Sequence, residues 1–186
     1  MRRLLPLVLW LTFSAAAWAA GISPDEVQVE FRDETYFGRL GIRVPVPPSV
    51  ALDVLTDFEH MAAFVPNVTS SRLLARVGDV YRVAQEGKAR FGPFSFRFAS
   101  ERRIEVFPDG RIVSRGLSGS SRYMRSELRL SPDGGNAVRI DYRLEVVPED
   151  WLPSAFGTAF LRHELSEQFS AMAAEMLRRR QAQGSP

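Results

Sequence analysis

Val138-Arg139-Ile140-Asp141-Tyr142-Arg143-Leu144-Glu145-Val146 alternates apolar and charged side chains at every step. A period of two places the apolar set on one face and the charges on the other, as in an antiparallel strand with one buried and one wet face. Shortly afterwards the period changes. From about Ser154 to Arg180, Leu161, Leu165, Phe169, Met172 and Met176 recur at intervals of three and four. At ~100° per residue they form one seam along a long helix. Such a seam needs a large apolar partner, and a sheet containing the 138–146 strand is the only candidate in the chain.

Upstream of that strand, Pro132-Asp133-Gly134-Gly135-Asn136 predicts a turn. Before it come strand candidates at roughly Ser70–Ala75, Val80–Glu86, Phe91–Val106, Arg111–Leu117 and Tyr123–Leu130. Further out, Val27, Val29 and Phe31 alternate with Gln28, Glu30 and Arg32. After Asp33-Glu34 the alternation resumes through Tyr36, Leu40, Ile42 and Val44. Pro45, Pro47 and Pro48 end that segment. Two short helices follow: one capped by Ser49 with Val50, Val54 and Leu55 inward, and one through Phe58, Met61, Phe64 and Val65, closed by Pro66. A curved antiparallel sheet wrapped around a long C-terminal helix, with two short helices after the first strands, satisfies this order. This is an α+β, helix-grip architecture. One helix does not fill the concave side of so wide a sheet, so an apolar cavity is expected between them, suited to a small ligand.

Several segments resemble one family. Val44-Pro45-Val46-Pro47-Pro48-Ser49-Val50 with Leu55-Thr56-Asp57-Phe58-Glu59 is similar to the opening of the polyketide cyclase/dehydrase and coenzyme Q-binding START-like proteins. So are Phe64-Val65-Pro66-Asn67-Val68, Val83-Ala84-Gln85-Glu86-Gly87, Phe94-Ser95-Phe96 and Arg139-Ile140-Asp141-Tyr142, and Leu152-Pro153 ahead of the last helix. The chain departs from many relatives at Ala137-Val138 and at Ser126-Glu127-Leu128. The resemblance implies a START-like fold, and a lipid or quinone carrier or an aromatic-polyketide enzyme.

Among residues with chemistry to offer, Gln85 shares its strand face with Tyr81 and Val83. An inward amide left unpaired costs about 1–3 kcal/mol, so its partner is a ligand group, a water or another side chain. Phe94, Phe96 and Phe98 alternate with Ser95, Arg97 and Ala99 and form a wall of core or cavity. With Phe64, Tyr142 and Phe169 these are the candidate ligand-binding residues, Gln85 and Tyr142 orienting the ligand. No catalytic set is expected. His60 and His163 lack a second histidine at helical spacing, so neither a metal nor another cofactor is expected. Gly116-Leu117-Ser118-Gly119 is not followed by a helix and reads as part of a flexible loop from Gly116 to Ser121. Asp57 and Glu59 offer either an acid–base pair or, better, a cap, with Asp57 ending one helix and capping the next. Phe156 and Phe160 fall away from the seam, as a wide buried face or as a lip for transient membrane contact.

The N-terminus reads as an export signal. Arg2 and Arg3 precede the apolar run Leu4 to Phe13, and Ala17-Trp18-Ala19 fits a cut after Ala19. The run is short of the roughly 20 residues a bilayer span needs. Residues 20–186 then form one domain, expected in the periplasm or outside the cell. Losing Arg2 and Arg3 takes the 24 basic residues to 22, against 22 acidic ones. That balance speaks against a nucleic-acid partner. The chain has no cysteine, which excludes a disulfide framework and thiolate chemistry. The expected protein is a monomeric, non-catalytic carrier or sensor of a hydrophobic molecule such as a lipid, quinone or aromatic compound. The alternatives are a cyclase or dehydratase, which needs an acid–base pair in a cavity where inward polar groups look scarce, and an interaction module with a filled interior.

Overall fold

The computed structural model describes residues 21–149 and 154–183. The signal segment with its cut after Ala19, and Trp151, Leu152 and Pro153, lie outside the described residues. Eight strands form one antiparallel sheet: β1 (Gln28–Arg32), β2 (Thr35–Val44), β3 (Val68–Val77), β4 (Val80–Phe91), β5 (Phe94–Val106), β6 (Arg111–Gly119), β7 (Ser121–Pro132) and β8 (Val138–Pro148). Their spatial order is β1-β2-β8-β7-β6-β5-β4-β3. All but one of the neighbours are consecutive hairpins. The exception is β2 beside β8, and the chain between β2 and β3 carries α1 (Pro48–Leu55) and α2 (Met61–Phe64). The long helix α3 (Ser154–Gln183) crosses the concave face and packs on α1, α2, β1, β2 and β4.

The alternating pattern explains the core. Val138, Ile140 and Leu144 of β8 are buried, as are Leu165, Phe169 and Met176 of the seam; Leu161 and Met172 are half-buried against the same cluster. At the β1–β2 hairpin, Asp33 and Glu34 both take positive φ, 49° and 60°. That two-residue turn matches the right-handed twist of its strands despite having no glycine. No described helix is long and apolar enough to cross a membrane.

Four local readings change. Pro48 starts α1 and Pro47 occupies the cap position without a side-chain bond, so Ser49 lies inside the helix and caps nothing. The segment read as Phe91–Val106 is broken at Gly92-Pro93, where Gly92 takes φ 57°; Phe91 ends β4 and Phe94 begins β5. Gly116 to Gly119 belong to β6, leaving only Ser120 between β6 and β7 rather than a long loop. The carboxylate of Asp57 is an ion-pair partner, not a helix cap. It lies 2.6 Å from His60 Nδ1 and accepts from Arg179 of α3 at 2.6 Å. Glu59 is exposed and takes no part.

Arg179 ties this elbow to Glu175, donating to it at 2.7 Å, and Arg178 grips both Glu175 oxygens at 2.6 and 2.7 Å. The Arg178 hydrogen bonds lead in holding the Glu175 carboxyl down to about 2, with burial opposing and Arg179 adding to them. A carboxyl depressed by folding contributes stability above its ordinary value near 4.3 and loses it as pH falls toward 2. Glu175→Gln should therefore cost on the order of 1 kcal/mol at neutral pH and flatten the stability loss between about pH 4.5 and 2. Urea unfolding at pH 7 and pH 3 measures both; parallel curves for the variant and the parent would refute the assignment.

Candidate ligand cavity

Two neighbouring spaces lie between the sheet and α3, one of about 360 Å³ and one of about 130 Å³. Both are lined by Val68, Gln85, Arg102, Tyr142 and Gln168. The larger has Phe96 and Phe98 of β5 on one side, Leu144 and Val146 of β8 on another, and Phe160, Leu161 and Leu165 of α3 as its cover. The smaller runs toward α1 and α2 and ends on Phe58, Met61, Ile104 and Phe169. Hollows of about 830 and 570 Å³ lie elsewhere, beside Gly21 and around the charged pair Arg39 and Arg143. The inward pair is the better candidate because aromatic walls and unsatisfied polar atoms meet there.

The register of β4 and β5 builds the wall. Ala89 faces Phe96, Gly87 faces Phe98, and Val83 faces Arg102. A side chain at Gly87 would collide with the Asn67 carbonyl oxygen and the Phe98 ring, so glycine lets both close on β4. Alternate residues of β5 turn inward, which carries Arg102 into the interior between Phe98 and the buried Ile104. Its guanidinium donates to Gln85 Oε1, while its Nε is enclosed and has no partner within the protein. No carboxylate pairs with it among the described residues. Burial leads in pulling the guanidinium below its ordinary basicity, and Tyr142 opposes that. Ser114 Oγ, on the wall of the smaller space, is likewise buried and unpartnered. Buried polar atoms in native proteins are nearly always hydrogen-bonded, and Arg102 Nε and Ser114 Oγ, on residues that line these spaces, are two exceptions.

Gln85 is inward and buried, and its amide is fully engaged. Nε2 donates to Ser71 Oγ at 3.0 Å and approaches Met61 Sδ at 3.1 Å, and Ser71 passes the chain on to the Phe58 carbonyl. Its role is to hold Arg102. Burial raises the Tyr142 hydroxyl above its usual pKa, with neighbouring Ser126 and Arg102 opposing that. Its ring packs on Phe169 with centroids 4.8 Å apart.

Gln85, Phe96, Phe98 and Tyr142 thus line the larger space, and Phe169 the smaller. Three candidates line neither. Phe64 sits under the Arg179 guanidinium, 5.8 Å from it. Tyr81 packs edge-on against Phe58 at 5.1 Å, beneath Arg76. Phe94 keeps the inward parity of its strand but lies at the β4–β5 hairpin, 55% exposed, against Phe96 and Phe156. Phe156 and Phe160 are half-buried, joined to Phe91, Phe94 and Phe96 in one aromatic cluster. Inward polar groups are not scarce: Arg102, Ser114, Ser126, Glu164 and Gln168 all reach the cavity walls. Arg102 is the missed site residue, and extending the Phe96–Phe98 parity by four positions finds it. Glu164 is 5% exposed, and burial leads in raising its carboxyl to about 7; a hydrogen bond from Asn67 opposes this and neighbouring Glu167 adds to it.

No curated protein matches the chain. Among solved structures, the chain superposes on the ZhuI aromatase/cyclase from Streptomyces sp. R1128 with a TM-score of 0.71 at 15% identity, covering 82% of this chain and 99% of that one. A START superfamily protein from Mycobacterium smegmatis gives 0.67 at 13% identity, over 76% and 97% of the two chains. Human STARD10 gives 0.61 at 13% identity, over 83% and 74%. These likenesses establish the helix-grip fold. The sequence profile for polyketide cyclase / dehydrase and lipid transport matches residues 44–173, from the end of β2 to well inside α3, and the chain belongs to that family.

Proposed function

We propose that the protein is a carrier or sensor for a hydrophobic small molecule that bears an acidic or carbonyl oxygen at one end. The carrying observation is Arg102: a guanidinium with an unpartnered, enclosed Nε, on the wall of a cavity that aromatic and aliphatic side chains share with Gln85, Glu164 and Gln168. Apolar burial at about 25 cal/mol per Å² would supply most of the affinity. Arg102, held by Gln85, with Ser114 deeper in, would fix the oxygen end. A cavity of about 360 Å³ is within the ordinary range for small ligands and speaks against the interaction module, whose interior would be filled. Export after cleavage at Ala19 belongs to the same reading, motivated by Arg2, Arg3 and Ala17-Trp18-Ala19, and so does action as a monomer.

Native mass spectrometry of the full protein from its own source, with extraction of whatever co-purifies, tests both parts. The expected result is a mature chain beginning at Ala20 with one bound lipid, quinone or aromatic acid. An intact Met1 would overturn export, and a protein that stays empty when offered long-chain fatty acids and quinones would overturn the carrier.

A cyclase or dehydratase is the second reading. It is favoured by Tyr142 and Arg102 sharing one cavity, since a phenol and a cation together can protonate and stabilise an enolate oxygen. Turnover of an aromatic or polyketide-like substrate, lost in Tyr142→Phe with binding retained, would move this reading ahead.

A further inference from the structure

We propose that His163, Glu164 and Glu167 of α3, steadied by Asn67 at the foot of β3, bind a divalent transition-metal ion of the zinc class. The inference stands on these side chains and is independent of what the cavity carries. His163 and Glu167 are one helical turn apart, which brings His163 Nε2 to 3.5 Å from Glu167 Oε1. Glu164 turns to the same side, and one ligand atom from each of the three lies within 4.8 Å of the others. Zinc takes imidazole nitrogen and carboxylate oxygen at about 2.0–2.2 Å. Binding would require the three side chains to rotate inward from that 4.8 Å spacing.

Charge balance gives the second observation. Glu164 is 95% removed from solvent by its 5% exposure, and its Oε1 has no partner within the protein. Its other oxygen and Glu167 share a single neutral donor, Asn67 Nδ2, at 2.7 and 3.3 Å. Among the described residues neither carboxylate pairs with an arginine or lysine; the only ion-pair partner is His163, to Glu167. The two adjacent carboxyl groups share one amide donor and, among the described residues, have no lysine or arginine paired with either of them. A divalent ion with a neutral imidazole and two carboxylates makes the set neutral, and Asn67 then serves as the outer hydrogen-bond donor that orients a ligating carboxylate. Three protein ligands leave a fourth position of a tetrahedral ion for water or another small donor, and Glu164 places it at the cavity wall.

The test uses the full mature protein stripped with chelator, titrated with zinc by calorimetry and with cobalt(II) by visible absorption. The expected result is one equivalent bound at micromolar affinity or better, with the absorption of a four- or five-coordinate nitrogen–oxygen cobalt site. His163→Ala and Glu167→Gln, both on the more exposed side of the set, should each weaken binding by at least about tenfold. His60→Ala, the other histidine beside a carboxylate, should leave it unchanged. Failure to bind, an octahedral aquo-like cobalt spectrum, or loss of binding in His60→Ala but not His163→Ala would overturn the site. Glu164→Gln adds a further reading where it folds; the other two variants decide the matter without it.

Discussion

Replacing Arg102 by methionine should weaken binding of a carboxylate-headed probe by about 10- to 100-fold while leaving the fold close to its parent stability. A hydrogen bond to a charged group contributes about 1.5–3 kcal/mol, and each 1.4 kcal/mol is tenfold in affinity. Core variants that lose binding usually lose stability as well. Here the two should separate, because a buried guanidinium without an acid partner costs desolvation that an apolar isostere avoids. The loss to be set against that is small in scope. Gln85 Oε1 gives up its Arg102 bond, but Nε2 keeps Ser71 and Met61. A fluorescent long-chain fatty acid and its methyl ester, titrated into both proteins, provide the readout. The parent should prefer the acid, and Arg102→Met should bind the two alike. Gln85→Leu should reduce the same preference in part, acting through the guanidinium it no longer holds. An unchanged preference in Arg102→Met would show that the polar end of the ligand lies elsewhere.

The sequence foretold the sheet because each strand carries its own burial pattern. Val138 to Val146 could be read without knowing its neighbours, and the seam on α3 could be read by angle alone. Ser49 suggests a cap, but the fixed φ of Pro47 and Pro48 starts the helix one residue earlier, at Pro48. Asp57 looks like a cap in sequence because its partner, Arg179, is far away in the chain and no local pattern announces it. Parity identifies the inward face of β5 but not where along that face the helix covers it, so it groups Phe94 with Phe96 and Phe98 although Phe94 is exposed at the hairpin. Arg102 escapes a sequence reading for a different reason. A charge in an alternating strand is ordinarily assigned to the wet face, and only the register against Val83 shows it turned in. Asn67 and Glu164 meet from positions 97 residues apart, a pairing that only the closed fold supplies.

Phe169→Ala should destabilise the protein by about 3–5 kcal/mol, the usual cost of truncating a buried phenylalanine. Phe169 is 3% exposed, packs at a tilt against Tyr142 and sits at the middle of the seam between Leu165 and Met176. It also walls the smaller cavity, so its loss joins a new void to an existing one that the surrounding β-sheet is too rigid to collapse. For a domain of this size each kcal/mol corresponds to roughly 2–4 °C in Tm, so the shift should be about 6–20 °C. Phe94→Ala, at the exposed hairpin, is the matched comparison and should stay within about 0.5 kcal/mol, as surface changes do. Thermal and urea unfolding of the two variants then separates a docked helix from a loosely held one. A Phe169→Ala cost below about 1 kcal/mol would mean that α3 does not close the cavity. A full cost, with the acid-over-ester preference retained in the folded fraction, would assign Phe169 to the lid and Arg102 to recognition, as two separable parts of one site.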